Sequence, residues 1–523
     1  MIKINIKLPL DYKEQTVIDT LSKSLKIDKN NILKYNLLKL SIDARDKENI
    51  FYNASFSVSV KSNEKKILAK IKNATEYKPF EYVIKKSAKS DTRPLIVGSG
   101  PAGLFCAYIL ASAGLRPVII ERGEKVEERI KSVENFWNGG KLNTQSNVQF
   151  GEGGAGTFSD GKLNTGIGDK RIQFVIKTFY ECGAPQEILW RQKPHIGTDK
   201  LRAVIVNLRK KIESLGGEFH FNCRLEKIIT DNEKIKSIIV TEDNTQKEIE
   251  CKILVLALGH SARDTFESLY KSGVLMEQKA FSMGARIEHT QEFINSAQYG
   301  KFADELPAAD YKLAVHLQNG RGVYSFCMCP GGVVVNASSE EEMIAVNGMS
   351  NFLRNEKNAN SALLVSVTPE DFESDYVLFG MEFQRKVERA AYQMSKSYKP
   401  PAETVGSFMG TYTPFSKVTP SLDVFECDLC EVLPTFVTDS LKEGIVLMDK
   451  KINGFNDKSA VLIGPETRSS SPVRILRNEN LQSNICGIYP CGEGAGYAGG
   501  ITSAAIDGIK VAEKIIDSNN RKD

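Results

Sequence analysis

Gly98-Ser99-Gly100-Pro101-Ala102-Gly103 sets three glycines at the spacing of a phosphate-cradling turn. The three differ in what they allow. Gly98 permits the sharp turn, Gly100 lets the backbone approach a pyrophosphate, and Gly103 lets the next helix pack close to a sheet. Pro101 suits a first helical turn, where its missing N–H costs nothing. The run Leu95-Ile96-Val97 predicts a short buried strand before the turn, and Leu104, Ala107, Tyr108 and Ala111 predict a helix that stops at Gly114. Val118-Ile119-Ile120 predicts a second strand closed by Glu121-Arg122, and the Glu121 carboxylate, 23 residues after Gly98, is positioned to accept from an adenosine ribose. The expected ligand is a dinucleotide, and the turn alone fits FAD and NAD equally.

A second Gly-rich crossing lies near the end of the chain, from Gly487 to Gly508, with a helix predicted to begin near Ile501. Such a helix aims free N–H groups and a positive dipole end at whatever precedes it, a suitable partner for the negative charge of a reduced flavin. With this segment the chain resembles the large FAD-binding superfamily of two-domain flavoproteins, in which a distant C-terminal stretch completes the site. That resemblance implies cofactor contacts from Gly492, Glu493, Gly500, Ile501 and Thr502. Glu493 stands where the superfamily usually has aspartate, facing the ribityl or phosphate region.

Four further blocks narrow the resemblance: Phe150 to Leu163 (FGEGGAGTFSDGKL), Pro194 to Arg202 (PHIGTDKLR), Tyr324 to Gly332 (YSFCMCPGG) and Glu466 to Arg474 (ETRSSSPVR). Together they are similar to the bacterial FAD-dependent, or NAD(FAD)-utilising, dehydrogenases. The resemblance implies FAD as cofactor and the Leu225 backbone against its adenine. Ala257-Leu258-Gly259 replaces the superfamily's Ala-Thr-Gly, so only the Gly259 backbone role carries over. The loop from Gly151 to Lys162 is too rich in glycine for a helix or strand; its successive N–H groups, at Gly154 and Gly156 among others, can form a phosphate nest to which Thr157, Ser159 and Asp160 add polar groups. The alternative is a flexible connector. Lys162 is either a neighbour of the flavin's reactive nitrogen or a surface lysine.

The remaining candidates for catalysis are Arg286 and Arg468. Arg286 and Glu288 alternate as on a strand and so share a face, expected towards substrate. Arg468 and Arg474 flank three serines and either hold an anionic substrate group or pair with carboxylates. The five histidines have no metal-ligand spacing, so no metal is expected. Cys427-Asp428-Leu429-Cys430 has redox spacing without a turn to activate it, and Cys327 and Cys329 lack that spacing altogether. Flavin turnover is therefore expected to survive their replacement by serine.

These groups need a scaffold, and 523 residues with 41% hydrophobic and 26% charged content suffice for several domains. The fold expected is α/β: a small N-terminal α+β domain (1–90), a Rossmann-like FAD-binding domain (91–275), a mixed α+β substrate domain (276–480) and a closing segment of the FAD domain (481–523). Strands are predicted at Ile2–Leu8 and Phe51–Val60 around a helix at Val17–Ile27. A helix over Asp199–Leu215 is capped by Thr198 and buries Leu201, Val204, Ile205, Leu208, Ile212 and Leu215. It leads into one strand through Phe219 to Leu225, then a strand pair at Ile235–Val240 and Ile253–Leu258. No second strand-GxGxxG-helix unit follows, which leaves room for NAD(P)H as an electron donor bound without a Rossmann domain of its own. Ten scattered cysteines and the absence of a leader or spanning segment point to the cytoplasm, and the expected partner is a small-molecule substrate, with no membrane, no nucleic acid and the oligomeric state left open. The function expected is hydride or electron transfer by FAD. Residues 61–90 nevertheless carry nine lysines against three glutamates, which keeps a tRNA-modifying flavoprotein as an alternative, beside a flavin-bearing electron carrier.

Overall fold

The computed structural model describes residues 1–61, 63–372 and 374–521. Ile2–Leu8 alternates buried and exposed residues and pairs antiparallel with Phe51–Val60, and helix Glu14–Leu25 buries Val17, Leu21 and Leu25 against them. A twelve-residue strand not expected from the sequence, Ile32–Asp43, lies on the far side of Phe51–Val60. Bulges at Ile32/Lys34 and Leu37/Lys39 interrupt its alternation and hide its period. The unit docks on the next domain by main-chain bonds between Leu40 and the segment Trp190–Gln192. The lysine-rich stretch that follows is fastened along the C-terminal helix: Lys85 pairs with Asp517 at 2.9 Å, Tyr82 donates to Glu513, and Lys86 donates to the Ser112 carbonyl.

A five-stranded parallel sheet forms the next layer, in the order Ile488–Pro490, Leu254–Leu256, Leu95–Val97, Val118–Ile120, Glu218–His220. The chain reverses direction across the sheet at Leu95–Val97, which opens a crevice beyond the carboxyl ends of the strands. Helix Pro101–Ala113 begins at Pro101 as expected and stops at Gly114, whose φ is 99°.

Helix Thr198–Ser214 differs in detail from its expectation. Gly197 is the capping residue, while the Thr198 hydroxyl donates to the Thr157 carbonyl; Leu215 lies past the helix end and is 40% exposed. The single strand predicted from 219 to 225 is two strands of different sheets, split at Asn222, whose φ is 52°. Lys234–Glu242 pairs with Cys223–Asp231 and Thr245–Glu250, not with Leu254–Leu256, which belongs to the parallel sheet.

The chain leaves this domain at Met276–Gln278 and returns beside it at Val473–Ile475, an antiparallel pair that marks the junction. Between them stands a seven-stranded sheet built within residues 281–466. Its two central strands, Phe281–Thr290 and Asn358–Val367, are ten residues each, longer than the short strands the sequence suggests. Both are buried on both faces; Asn358–Val367 accordingly lacks alternation, while Phe281–Thr290 keeps it in sequence although its polar positions are buried too.

Helix Ile501–Asn520 closes the molecule by crossing Pro101–Ala113. A Cβ at Gly508 would collide with the Ala102 carbonyl, and one at Gly103 with the Gly98 carbonyl. Neither backbone can yield. Gly508→Ala and Gly103→Ala are each expected to lower stability by about 1–3 kcal/mol, the cost of overpacking, read as a fall in Tm or urea midpoint. An unchanged midpoint in both would mean that the helices have slack at their crossing.

Candidate active site

A cleft of about 1800 Å³, open mouth included, runs along the carboxyl ends of the parallel strands. Gly98, Gly100, Pro101, Ala102, Glu121 and Arg122 line it from the first strand-turn-helix unit, and Gly154, Gly156, Ser159 and Lys162 from the Gly-rich loop. Leu225, Gly259, Glu493, Gly500 and Ile501 complete it. Five separate stretches of chain thus meet on one space, with the starts of helices Pro101–Ala113 and Ile501–Asn520 both open to it.

Five of the residues expected at the cofactor face elsewhere. Ser99 is buried, and Gly103 is spent on the helix-to-turn contact. The Thr157 and Thr502 hydroxyls turn inward to the carbonyls of Glu152 and Leu163. Gly492, with φ 79°, packs on Ala102, where a Cβ would come within 2.6 Å, and donates its N–H to Asp507. Glu121 lines the cleft but is not free to serve a ribose. Oε2 accepts from the Ser99 N–H and hydroxyl, both at 2.9 Å, and Oε1 from the N–H groups of Gly123 at 3.0 Å and Gly151 at 3.1 Å. Four donors fill the acceptor directions of a carboxylate. Its role is to knit the first turn to the Gly-rich loop. Arg122 is held by both Asp264 oxygens at 2.9 Å and lies over the Phe150 ring.

The glycines show whether the cleft suits a dinucleotide. Gly100 has φ −72°, open to any residue, and a Cβ there would meet nothing nearer than the Gly154 Cα at 3.9 Å. At Gly259, Gly499 and Gly500 a Cβ would meet nothing within 4 Å. Protein packing does not require glycine at 100, 499 or 500; a backbone-hugging ligand does. The donor set of main-chain N–H groups and two helix starts suits a pyrophosphate, and the residues present fit FAD.

The candidate catalytic residues separate. Lys162 faces the cleft with its Nζ 3.0 Å from Asp160; burial opposes its charge, but Asp160 together with the Cys329 and Cys327 sulfurs holds the ammonium above the usual lysine value. Arg286 does not line the cleft. It is fully buried, donates to Glu466 and Asn360, and against burial Glu466 together with the same two sulfurs keeps it charged. Glu288 also points into the protein, accepting from the Ser421 N–H. Arg468 does line the cleft, yet its guanidinium is bound by Glu388 at 2.7 Å, with Arg263 on the same carboxylate. Arg474 turns away to Glu277. A catalytic arginine with a free charge is therefore not found at either position.

His260, Cys327, Asn347 and Glu466 also line the cleft, none of them expected there from the sequence. Burial raises Glu466 to about 6 against the pull of Arg286, and burial, with Arg468 and Arg263, lowers His260 to about 3, so the imidazole is neutral. Cys327 and Glu466 lie inside two of the distinctive blocks, but only the tertiary fold aims them at the cleft. Among the described residues no group of three or more His, Cys, Asp or Glu could hold a metal, and no helix is long and apolar enough to cross a membrane. All ten cysteines are free.

Glu493 stands 3.6 Å from His260 Nε2, and burial raises it to about 7 against the pull of Lys279. The folded chain therefore keeps a proton that the unfolded chain loses above its ordinary value near 4.5. Stability falls as pH rises through that window and the full penalty is present above 7. Glu493→Gln removes the penalty: in the cofactor-free protein it should match the parent at pH 4 and exceed it at pH 8 by on the order of 2 kcal/mol, measured by denaturant titration at both values. A gap independent of pH would refute the assignment.

Comparison with known proteins places this geometry. A family model described as FAD-dependent protein, C-terminal domain-like, matches residues 280–469; an NAD(P)-binding Rossmann-like domain matches 96–152; a domain of unknown function matches 1–59. An uncharacterized protein of Clostridium beijerinckii is 49% identical over 527 residues, covering 98% of each chain. A thiamine thiazole synthase of Saccharolobus islandicus is 41% identical over 58 residues, 10% of this chain and 22% of its own. Among solved structures, a geranylgeranyl bacteriochlorophyll reductase-like protein of Thermoplasma acidophilum aligns over 82% of this chain and 79% of its own, at 12% identity and a TM-score of 0.38. That likeness is too distant to carry an argument about chemistry. The full-length likeness to the Clostridium protein, joined to the matched Rossmann-like and FAD-dependent C-terminal domains, shows that the chain belongs to a family of FAD-dependent proteins.

Proposed function

We propose that the protein is an oxidoreductase that holds FAD non-covalently along the cleft and transfers hydride or electrons to or from a small molecule taken up on the wall formed by Lys162, Phe326, Cys327, Asn347, Glu466 and Arg468. The observation that carries the reading is the meeting of segments from Gly98 to Ile501 on one space, beside glycines that protein packing does not require. The turn from Gly98 to Ala102 and the loop from Gly154 to Ser159 would hold the pyrophosphate, and the Leu225 and Gly259 backbones would border the adenosine and ring halves. When bound, FAD supplies two-electron or one-electron transfer. Gly500 and Ile501 offer the helix start that offsets negative charge, and Lys162 keeps a fixed positive charge on the substrate wall. Glu466, near half-protonated at about 6, can hold or release a proton there.

Phe326, Cys327 and Glu466 of that wall stand on the seven-stranded sheet, whose ladders are antiparallel apart from one short edge pair; the described residues contain no second parallel nucleotide-binding sheet. NAD(P)H, where it serves as donor, would bind without a dedicated Rossmann domain. Ten free thiols suit a reducing cytoplasm. The lysine-rich stretch lies along the C-terminal helix and away from the cleft lining, so it lends little to a tRNA-modifying reading.

Two tests separate ligand from fold. Gly100→Val should keep the parent's Tm in the cofactor-free state, because nothing in the protein opposes its Cβ, while FAD affinity drops about tenfold or more, as one blocked approach to a pyrophosphate predicts. Full FAD occupancy in that variant would sink the placement. Gly500→Asp sets a carboxylate at the start of the C-terminal helix. It should lower the reduction potential of bound FAD by offsetting a helix-terminus effect of about 0.3–2 kcal/mol. An unchanged potential in the folded variant would show that this helix does not face the ring.

A further inference from the structure

Cys327 and Cys329 lie on strand Gly322–Cys329, which pairs with Asn358–Val367 as far as Phe326, slips register, and resumes at Cys329. At the slip Cys327 takes a φ of 43°. A regular strand would hold the two Cα atoms about 6.6 Å apart with side chains parallel, already within the ~7 Å reach of a disulfide, and a bulge bends the strand further. The Cys329 thiol donates to the Cys327 carbonyl oxygen at 3.3 Å, on the backbone that carries the Cys327 sulfur. Cys327 is partly exposed and lines the cleft; Cys329 is buried behind it.

Cations surround the pair. Lys162 Nζ is 4.0 Å from Cys329 Sγ, and Arg286 donates to the Cys327 carbonyl at 3.2 Å. Asp160, Glu466 and Glu493 face the same sulfurs with carboxyl groups, the first two already paired with Lys162 and Arg286. The neighbouring Cys329, with the charges of Lys162 and Arg286, outweighs burial and holds Cys327 well below the ordinary thiol value. Cys327, with burial, holds Cys329 well above it. The result is one thiolate beside one thiol on the same strand. The CxxC pair elsewhere contrasts with this: burial raises Cys427 to about 11 and also raises Cys430.

We propose that Cys327 and Cys329 form a dithiol centre in the cleft whose substrate is a small disulfide. The Cys327 thiolate attacks one sulfur of the disulfide; the substrate S–S bond breaks, one substrate thiolate leaves, and a mixed disulfide forms on Cys327. Cys329 then gives up its proton, and its sulfur attacks Cys327 Sγ, forming the Cys327–Cys329 bond and releasing the second substrate thiolate. The pair loses two electrons, the substrate gains both, and the proton leaves with the departing thiol. Lys162, beside the sulfurs, offsets their negative charge as a positioning residue. This single turnover needs no bound FAD, so its outcome is independent of the cofactor reading.

The test uses the full chain, reduced and desalted, with the more exposed Cys427, Cys430 and Cys486 replaced by serine, mixed with one equivalent of 4,4′-dithiodipyridine. Two thiopyridones should be released per disulfide consumed, and peptide mass spectra should show a Cys327–Cys329 link two hydrogens lighter than the dithiol. Cys329→Ser should stop at one thiopyridone with the adduct on Cys327, and Lys162→Met should slow the first release about tenfold while shifting its pH midpoint upward, with Lys162→Arg restoring both. A pyridyl adduct that persists on Cys327 while Cys329 is intact would overturn the proposal. So would release left unchanged by Cys327→Ser. The link itself is read on the unsubstituted pair, so misfolding of a variant does not decide the outcome.

Discussion

The site depends on one close crossing. Helices Pro101–Ala113 and Ile501–Asn520 approach until Gly508 faces the Ala102 carbonyl and Gly492 packs on Ala102, while Gly103 presses on the Gly98 carbonyl. Each contact is backbone against backbone or the shortest of side chains, so no rotamer can relieve it. The same helices share one apolar core with Thr198–Ser214. Fixing that crossing aims two helix starts, separated by some four hundred residues of chain, at a single cleft. The main-chain N–H groups at the two helix starts thereby line one space.

The inserted sheet is fastened to this frame by charge rather than by apolar packing alone. Arg263, from the nucleotide-binding domain, and Arg468, from the loop after strand Val461–Glu466, share the fully buried Glu388 carboxylate of helix Phe379–Ser395. Burial acts to protonate Glu388, but the two guanidinium groups outweigh it and hold the carboxyl well below its usual range. Removing one partner of such a cluster typically costs about 3–5 kcal/mol, because a buried charge is left alone. The cluster ties the inserted sheet to the cleft, and with both partners spent on Glu388, Arg468 lines the cleft without a free charge to offer.

Local requirements were readable in the residues and distant ones were not. The strand, turn and helix from Leu95 to Gly114 follow from glycine and proline at positions where backbone conformation admits little else. The helix start at Ile501 was legible from the Gly-rich crossing that precedes it. Ile32–Asp43 escaped because bulges break its period, and Asn358–Val367 because a strand covered on both faces loses its alternation. The break at Asn222 escaped because a single residue at positive φ sends one continuous apolar run into two sheets.

What the sequence by itself determined is the set of backbone devices: which turns open, which helices start beside them, and that a dinucleotide with a flavin is their ligand. These are set by residues within a few positions of one another. Tertiary structure alone decided which side chains reach the cleft. It turned the Thr157 and Thr502 hydroxyls onto carbonyls, filled the Glu121 carboxylate with four donors, and buried Arg286 against Glu466. It also brought Lys162 beside Cys327 and Cys329, from segments more than 160 residues apart. The physical reason is that a side chain's charge and partners depend on desolvation and on neighbours distant in sequence, and neither exists until the domains have packed.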